Sequence, residues 1–153
     1  MNAVASAPAL VFSRSYLWDL FGVRSLENVC FENDAYDIVS ILELLLSPKM
    51  RCLKASQGGH MLGFVAGEID RGKDVGWIVT LGVHPNAIGQ GIGSRLLLDC
   101  EQLMAMSTVK LTVRKSNSRA IALYERHGYK YEQTIARYYN DGEDGLLMTK
   151  RIR

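Results

Sequence analysis

The residues best suited to chemistry cluster in the stretch TLGVHPNAIGQGIGSRLLLDCEQLM, Thr80 to Met104. An apolar run ends at Pro85, Gly89, Gly91 and Gly93 alternate, and a helical pattern begins at once. A strand, a glycine turn and a helix mouth together form an anion site, because unpaired backbone N–H groups and the positive helix end converge there. Glycine lets that backbone approach an oxygen that a Cβ would hold off. Neither common nucleotide fingerprint fits: no lysine follows Gly93, and Ser94 stands where G-x-G-x-x-G needs its third glycine. On these residues alone the loop is either an anion cradle or a turn that permits close helix packing.

A second group follows in LTVRKSNSRAIALYERHGY, Leu111 to Tyr129, with Asn117 just past a strand end and Tyr124 on the next helix. Other chemistries find little support. Cys30, Cys52 and Cys100 are odd in number and widely spaced, which disfavours a disulfide framework or a zinc site. Cys100 falls on the apolar stripe Leu96, Leu97, Cys100, Leu103, Met104 and reads as a buried structural thiol. His60, His84 and His127 form no ligand cluster, and no metal is expected.

The elements that position these residues fit in one domain, 1–153. Composition is ordinary, and a formal net charge of +2 gives no argument for nucleic acid or a membrane surface as partner. No apolar run is long enough to span a bilayer. The start, MNAVASAPALVF, lacks a basic n-region and is interrupted by Ser6 and Pro8, so residues 1–8 read as a loose tail and the location as cytoplasmic. A strand is expected over Leu10–Arg14, then helices over Leu17–Phe31 and Ala35–Leu46. MRCLKAS and MLGFVAGEI flank Gly58-Gly59 as a hairpin, and VGWIVTLGV reads as a strand buried on both faces. After the glycine loop come a helix from Gly93 to Met106, a strand over VKLTVRK and a helix closed by Gly128. YKYEQTIARYY and GLLMTKRI then read as a closing hairpin around NDGEDG. The order predicts a mixed α/β layer structure, its sheet mostly antiparallel with one parallel pair where the helix from Gly93 intervenes.

Taken together, V-x-P-x-x-x-G-Q-G-I-G-S and L-x-V-R-x-S-N-x-x-A-I-x-L-Y-E-x-x-G-Y resemble the acetyl-CoA-binding core of the GNAT N-acetyltransferase superfamily. The tail ARYYNDGEDGLLMTK narrows the resemblance to the N-terminal acetyltransferase branch, which holds the bacterial ribosomal-protein alanine (RimI-type) enzymes and the eukaryotic Nat catalytic subunits. It covers about Leu26 to Arg151. The resemblance implies the GNAT fold: a twisted sheet of six to seven strands with one parallel pair, flanked by four helices. It implies that Leu81 and Val83 offer backbone groups to the pantetheine arm of acetyl-CoA, the strand splaying after a bulge near Gly82. Gly89, Gln90, Gly91, Ile92, Gly93 and Ser94 would cradle the pyrophosphate, and Asn117 would hydrogen-bond the cofactor. Tyr124 would be the general acid near the thioester sulfur, and an N–H at Leu81 or Val83 the oxyanion donor. Phe31 and Tyr36 would form one wall of a peptide groove, with Tyr138 and Tyr139 opposite.

The pattern breaks at the base. Thr112 and Trp77 stand where relatives carry a glutamate, histidine or tyrosine, and Ile88 stands where the loop usually carries arginine or glutamine. Glu32 is the candidate base from the loop between the first two helices, with Asp34 as its rival. An α-amine of pKa near 7.7–8.0 is roughly a fifth to a third neutral at pH 7.4, whereas a lysine is only about 0.1% neutral. A weak base therefore favours an N-terminal substrate. The expected function is acetyl transfer from acetyl-CoA to a protein N-terminal α-amine, a ribosomal protein being one such partner. The alternatives are a small-molecule or lysine acetyltransferase, or an acyl-CoA-binding module of low activity.

Overall fold

The computed structural model describes residues 5–153. Among them are seven strands, β1 (Leu10–Arg14), β2 (Met50–Gln57), β3 (His60–Asp70), β4 (Val75–Val83), β5 (Thr108–Arg114), β6 (Lys130–Ile135) and β7 (Gly145–Arg151). The four α-helices are α1 (Leu20–Phe31), α2 (Ile38–Leu46), α3 (Ile92–Met104) and α4 (Ser118–Arg126). The sheet order is β1-β2-β3-β4-β5-β7-β6, and β4–β5 is its parallel pair. The expected mixed α/β architecture is thus met. No helix among the described residues is long and apolar enough to cross a membrane.

The sheet separates two apolar layers. One packs Leu96, Leu97, Cys100 and Met104 of α3 against Val65, Val109, Leu111 and Met148, with Tyr124 and Tyr129 from the α4 end. The other packs Val23 and Leu26 of α1 and Ile41 of α2 against Phe64 and Ala66. Both faces of β4 are covered, as its apolar run predicts. α3 lies so close that a Cβ on Gly67 would come within 2.5 Å of Met104 Sδ.

Several boundaries differ from the sequence expectation. Residues 1–4 of the expected tail lie outside the described residues. Pro8 is tied down, its carbonyl accepting from Gln57 Nε2 at 3.0 Å. A short 3-10 turn, Leu17–Asp19, precedes α1, and α2 starts only at Ile38 because Asp37 caps it, accepting from Ser40 N at 2.8 Å. β6 ends at Ile135, so Tyr138 and Tyr139 sit in a loop (residues 136–144) and not on a strand. Their side chains therefore do not follow strand alternation.

The bulge in β4 lies at Val79, not near Gly82: Ala66 pairs with Thr80, but Gly67 pairs with Ile78. One extra residue reverses which face the following side chains meet. Ile78 packs with the α3 layer, whereas Thr80 bonds to α1 and Gly82 lies beneath Cys30 and Phe31. Leu81 and Val83 consequently turn to the α3 side.

Candidate active site

β4 and β5 pair only from Val75–Trp77 to Thr108–Lys110. Beyond Trp77 the β5-facing edge of β4 has no ladder partner among the described residues, and a cleft of about 710 Å³ opens there. Its lining includes Cys30 and Phe31 from α1, Leu81 to Val83 from β4, Gly89, Gly91 and Gly93 of the glycine loop, and Asn117 with Ala120, Leu123 and Tyr124 of α4. Unpaired strand backbone beside a helix mouth can bind an extended, amide-bearing chain and an anion together.

The glycines show how the loop is used. Gly89 and Gly91 have φ of +88° and +78°, backbone that bulky L residues rarely adopt, and a Cβ on either would meet no protein atom within 4 Å. Gly93, inside α3, would bring its Cβ only to ordinary contact, 3.5 Å from Leu123 and Val83. Close helix packing therefore does not account for the loop, which keeps its backbone open toward the cleft. Ser94 is fixed beside it, its Oγ 2.9 Å from His127 Nε2 at the end of α4. Arg119 and Arg126 add positive charge to the lining.

Of the cofactor residues expected from sequence, Leu81, Gly82, Val83, Gly89, Gly91, Ile92, Gly93, Ser94, Asn117 and Tyr124 line this one cleft. Gln90 is exposed and outside the lining. Asn117 has a second duty: its Oδ1 caps α4 by accepting from Ala120 N at 3.1 Å, which leaves the amide NH2 to reach a ligand. Tyr124 is 7% exposed, and no protein group among the described residues hydrogen-bonds its hydroxyl. Burial, then the neighbouring Tyr139, raises its pKa, so the phenol stays protonated across the neutral range.

The residues expected to meet the acceptor are arranged differently. Phe31 lines the cleft, while Tyr36, Tyr138 and Tyr139 stand outside that lining. Tyr36 is half-buried against the α1–α2 layer, and its pKa is raised by burial, then by Glu27 and Tyr138. Tyr138 and Tyr139 meet edge-to-face with centroids 5.0 Å apart. Burial, then Tyr138, pushes the Tyr139 phenol up to about 12. Glu32 ends α1 with φ +43°, exposed and next to Phe31. Asp34 has both oxygens committed to Arg114, at 2.6 and 2.8 Å, and is not free to act as a base. Thr112 shares the open face of β5 with Arg114. Trp77 lines a separate hollow with Lys49 and Arg51 at the far end of β4.

Sequence reading passed over two charged residues. Glu27 is 3% exposed and accepts from Thr80 Oγ1 at 2.7 Å and from Tyr36 N at 3.4 Å. Burial raises its pKa, only partly offset by those bonds. A carboxylate on the apolar stripe Val23, Leu26, Cys30 was its available signal. Arg114 had one too, as the arginine of L-x-V-R-x-S-N at a strand end.

Residues 17–129 match the acetyltransferase (GNAT) family. An uncharacterized N-acetyltransferase of Methanocaldococcus jannaschii is 36% identical over 97 residues, which span 61% of each chain. The N-alpha-acetyltransferase RimI of Mycobacterium tuberculosis is 34% identical over 69% of each chain. The crystal structure of the ribosomal-protein-S18-alanine N-acetyltransferase from Escherichia coli superposes with a TM-score of 0.85 at 25% identity, covering 94% of both chains.

Proposed function

We propose, from the premise that this chain belongs to the GNAT acetyltransferase family, that it transfers the acetyl group of acetyl-CoA to the N-terminal α-amine of a protein. The single observation that carries the reading is the convergence of three things in one cleft: bare amides at the mouth of α3, the released edge of β4, and the Tyr124 phenol. The RimI relative is an N-alpha-acetyltransferase and the Escherichia coli neighbour acts on the alanine of a ribosomal protein, which supports the α-amine as acceptor.

Acetyl-CoA suits the residues present. Glycine-loop amides and the start of α3 bind its pyrophosphate, with Arg119 and Arg126 alongside. The released edge of β4 pairs with the amides of the pantetheine arm, and an N–H at Leu81 or Val83 stabilises the oxyanion. The thioester supplies an activated acyl carbon. Tyr124, protonated at neutral pH, donates its proton to the departing sulfur. The attacking amine needs little help, since roughly a fifth to a third of α-amines are already neutral at pH 7.4. Glu32, exposed beside Phe31, takes up the remaining proton through water.

Acetyl transfer to short peptides with varied first residues, read by mass from pH 6.5 to 9, tests this. Turnover on free N-termini that rises as the amine deprotonates is expected. Turnover confined to N-terminally blocked lysine peptides would replace the substrate class, and acetyl-CoA binding without turnover on any peptide would remove the reading.

A further inference from the structure

Two segments far apart in sequence meet around Arg114. One is the α1–α2 connection, a 3-10 turn over Glu32–Asp34 that Phe31 precedes and Tyr36 follows. The other is the β6–β7 loop, residues 136–144, which carries Tyr138 and Tyr139. Arg114, the last residue of β5, reaches both. Its Nε and Nη2 donate to Asp34 Oδ2 and Oδ1 at 2.6 and 2.8 Å. Its Nη1 donates to Asp141 Oδ2 at 2.9 Å and Glu143 Oε1 at 2.8 Å. The guanidinium carbon also lies 4.2 Å from the Tyr139 ring centroid. Glu143 in turn accepts from Ser116 N at 2.8 Å, tying the loop to the segment just before Asn117.

We infer that Arg114 is the positioning residue of the acceptor groove, holding the Phe31–Tyr36 wall at a fixed distance from the Tyr138–Tyr139 wall. The inference rests on the acetyl-acceptor reading above. Isolated surface ion pairs contribute little because two mobile side chains must be ordered in water. This one differs in geometry: one planar fork serves three carboxylates and stacks on a ring, with 19% of the Arg114 side chain and 25% of Asp34 exposed. A lysine has the charge but cannot donate in a plane to Asp34 while facing Tyr139. Without the guanidinium, Asp34, Asp141 and Glu143 would face one another unneutralised and push the walls apart.

The test compares Arg114→Gln, Arg114→Lys and Asp34→Asn with the wild-type protein in two measurements. In steady-state kinetics, Arg114→Gln is expected to raise the peptide KM about tenfold while the acetyl-CoA Kd stays within about twofold, and Arg114→Lys to recover part of the loss. In amide hydrogen exchange, Arg114→Gln should speed exchange in both 32–37 and 136–144, whereas Asp34→Asn should speed only 32–37. An unchanged KM, a Kd that rises in step with KM, or loosening of a single segment by Arg114→Gln would overturn the inference. Exchange needs no substrate, so a wild-type enzyme silent on peptides would count against the acetyl-acceptor reading while exchange still decides the clamp.

Discussion

On the proposed function, the cofactor side of the site is made of backbone from neighbouring residues, whereas the acceptor side is made of side chains drawn from distant segments. Gly89 to Ser94 present their amides because a strand, a turn and a helix succeed one another within one short stretch. The acceptor side depends on Asp34, Arg114, Asp141 and Glu143, whose contacts span up to 80 residues. Backbone sites are fixed by local conformation and tolerate most side-chain changes. Side-chain sites depend on charge and register, and one substitution can open them. On the proposed function, that difference puts specificity on the acceptor side and cofactor binding on the loop.

Tyr124 stands where the two sides meet, and its replacement should have the largest effect. Tyr124→Phe is expected to lower kcat about 100-fold with acetyl-CoA affinity retained, as single-turnover assays and titration would show. Wild-type turnover would remove the acid from the mechanism. Next comes the cradle. Gly91→Val forces a β-branched residue into left-handed backbone and adds bulk where the ligand must approach, so the acetyl-CoA Kd should rise about 30-fold or more. Exchange in 32–37 and 136–144 should not change. If it does, the two sides are not independent.

The smallest effect is expected from acid. Hydrogen bonds from Ser116, then from Arg114, lower the Glu143 pKa from 4.5 to about 2. Asp141 is also lowered, by the Glu143 N–H and then by Arg114. A carboxylate with a depressed folded-state pKa contributes stability above its unfolded pKa, and that contribution is lost as pH falls through the folded value. The 136–144 loop should therefore loosen between about pH 4.5 and 2, before the α3 layer does, which exchange or proteolysis across that range would detect. Simultaneous loss of both regions would erase the contrast.

The same contrast explains what could be read early. β1 and β4 match their expected bounds because alternation and flanking turns are local signals. The sequence puts Tyr138 and Tyr139 on a strand because no glycine, proline or asparagine interrupts YKYEQTIARYY before Asn140. The resemblance puts the bulge near Gly82, whereas the pairing of Ala66 with Thr80 and of Gly67 with Ile78 sets it at Val79.

By itself, then, the sequence determined the glycine cradle, the strand leading into it and the spacing to Asn117 and Tyr124, all properties of contiguous chain. Only the tertiary structure decided that Asp34 is bound rather than free, that Trp77 faces another hollow, and that Glu27 is buried against Thr80. Those outcomes depend on which side chains meet once helices and loops pack on the sheet. No local propensity encodes that meeting, because its free energy exists only once the layers have packed.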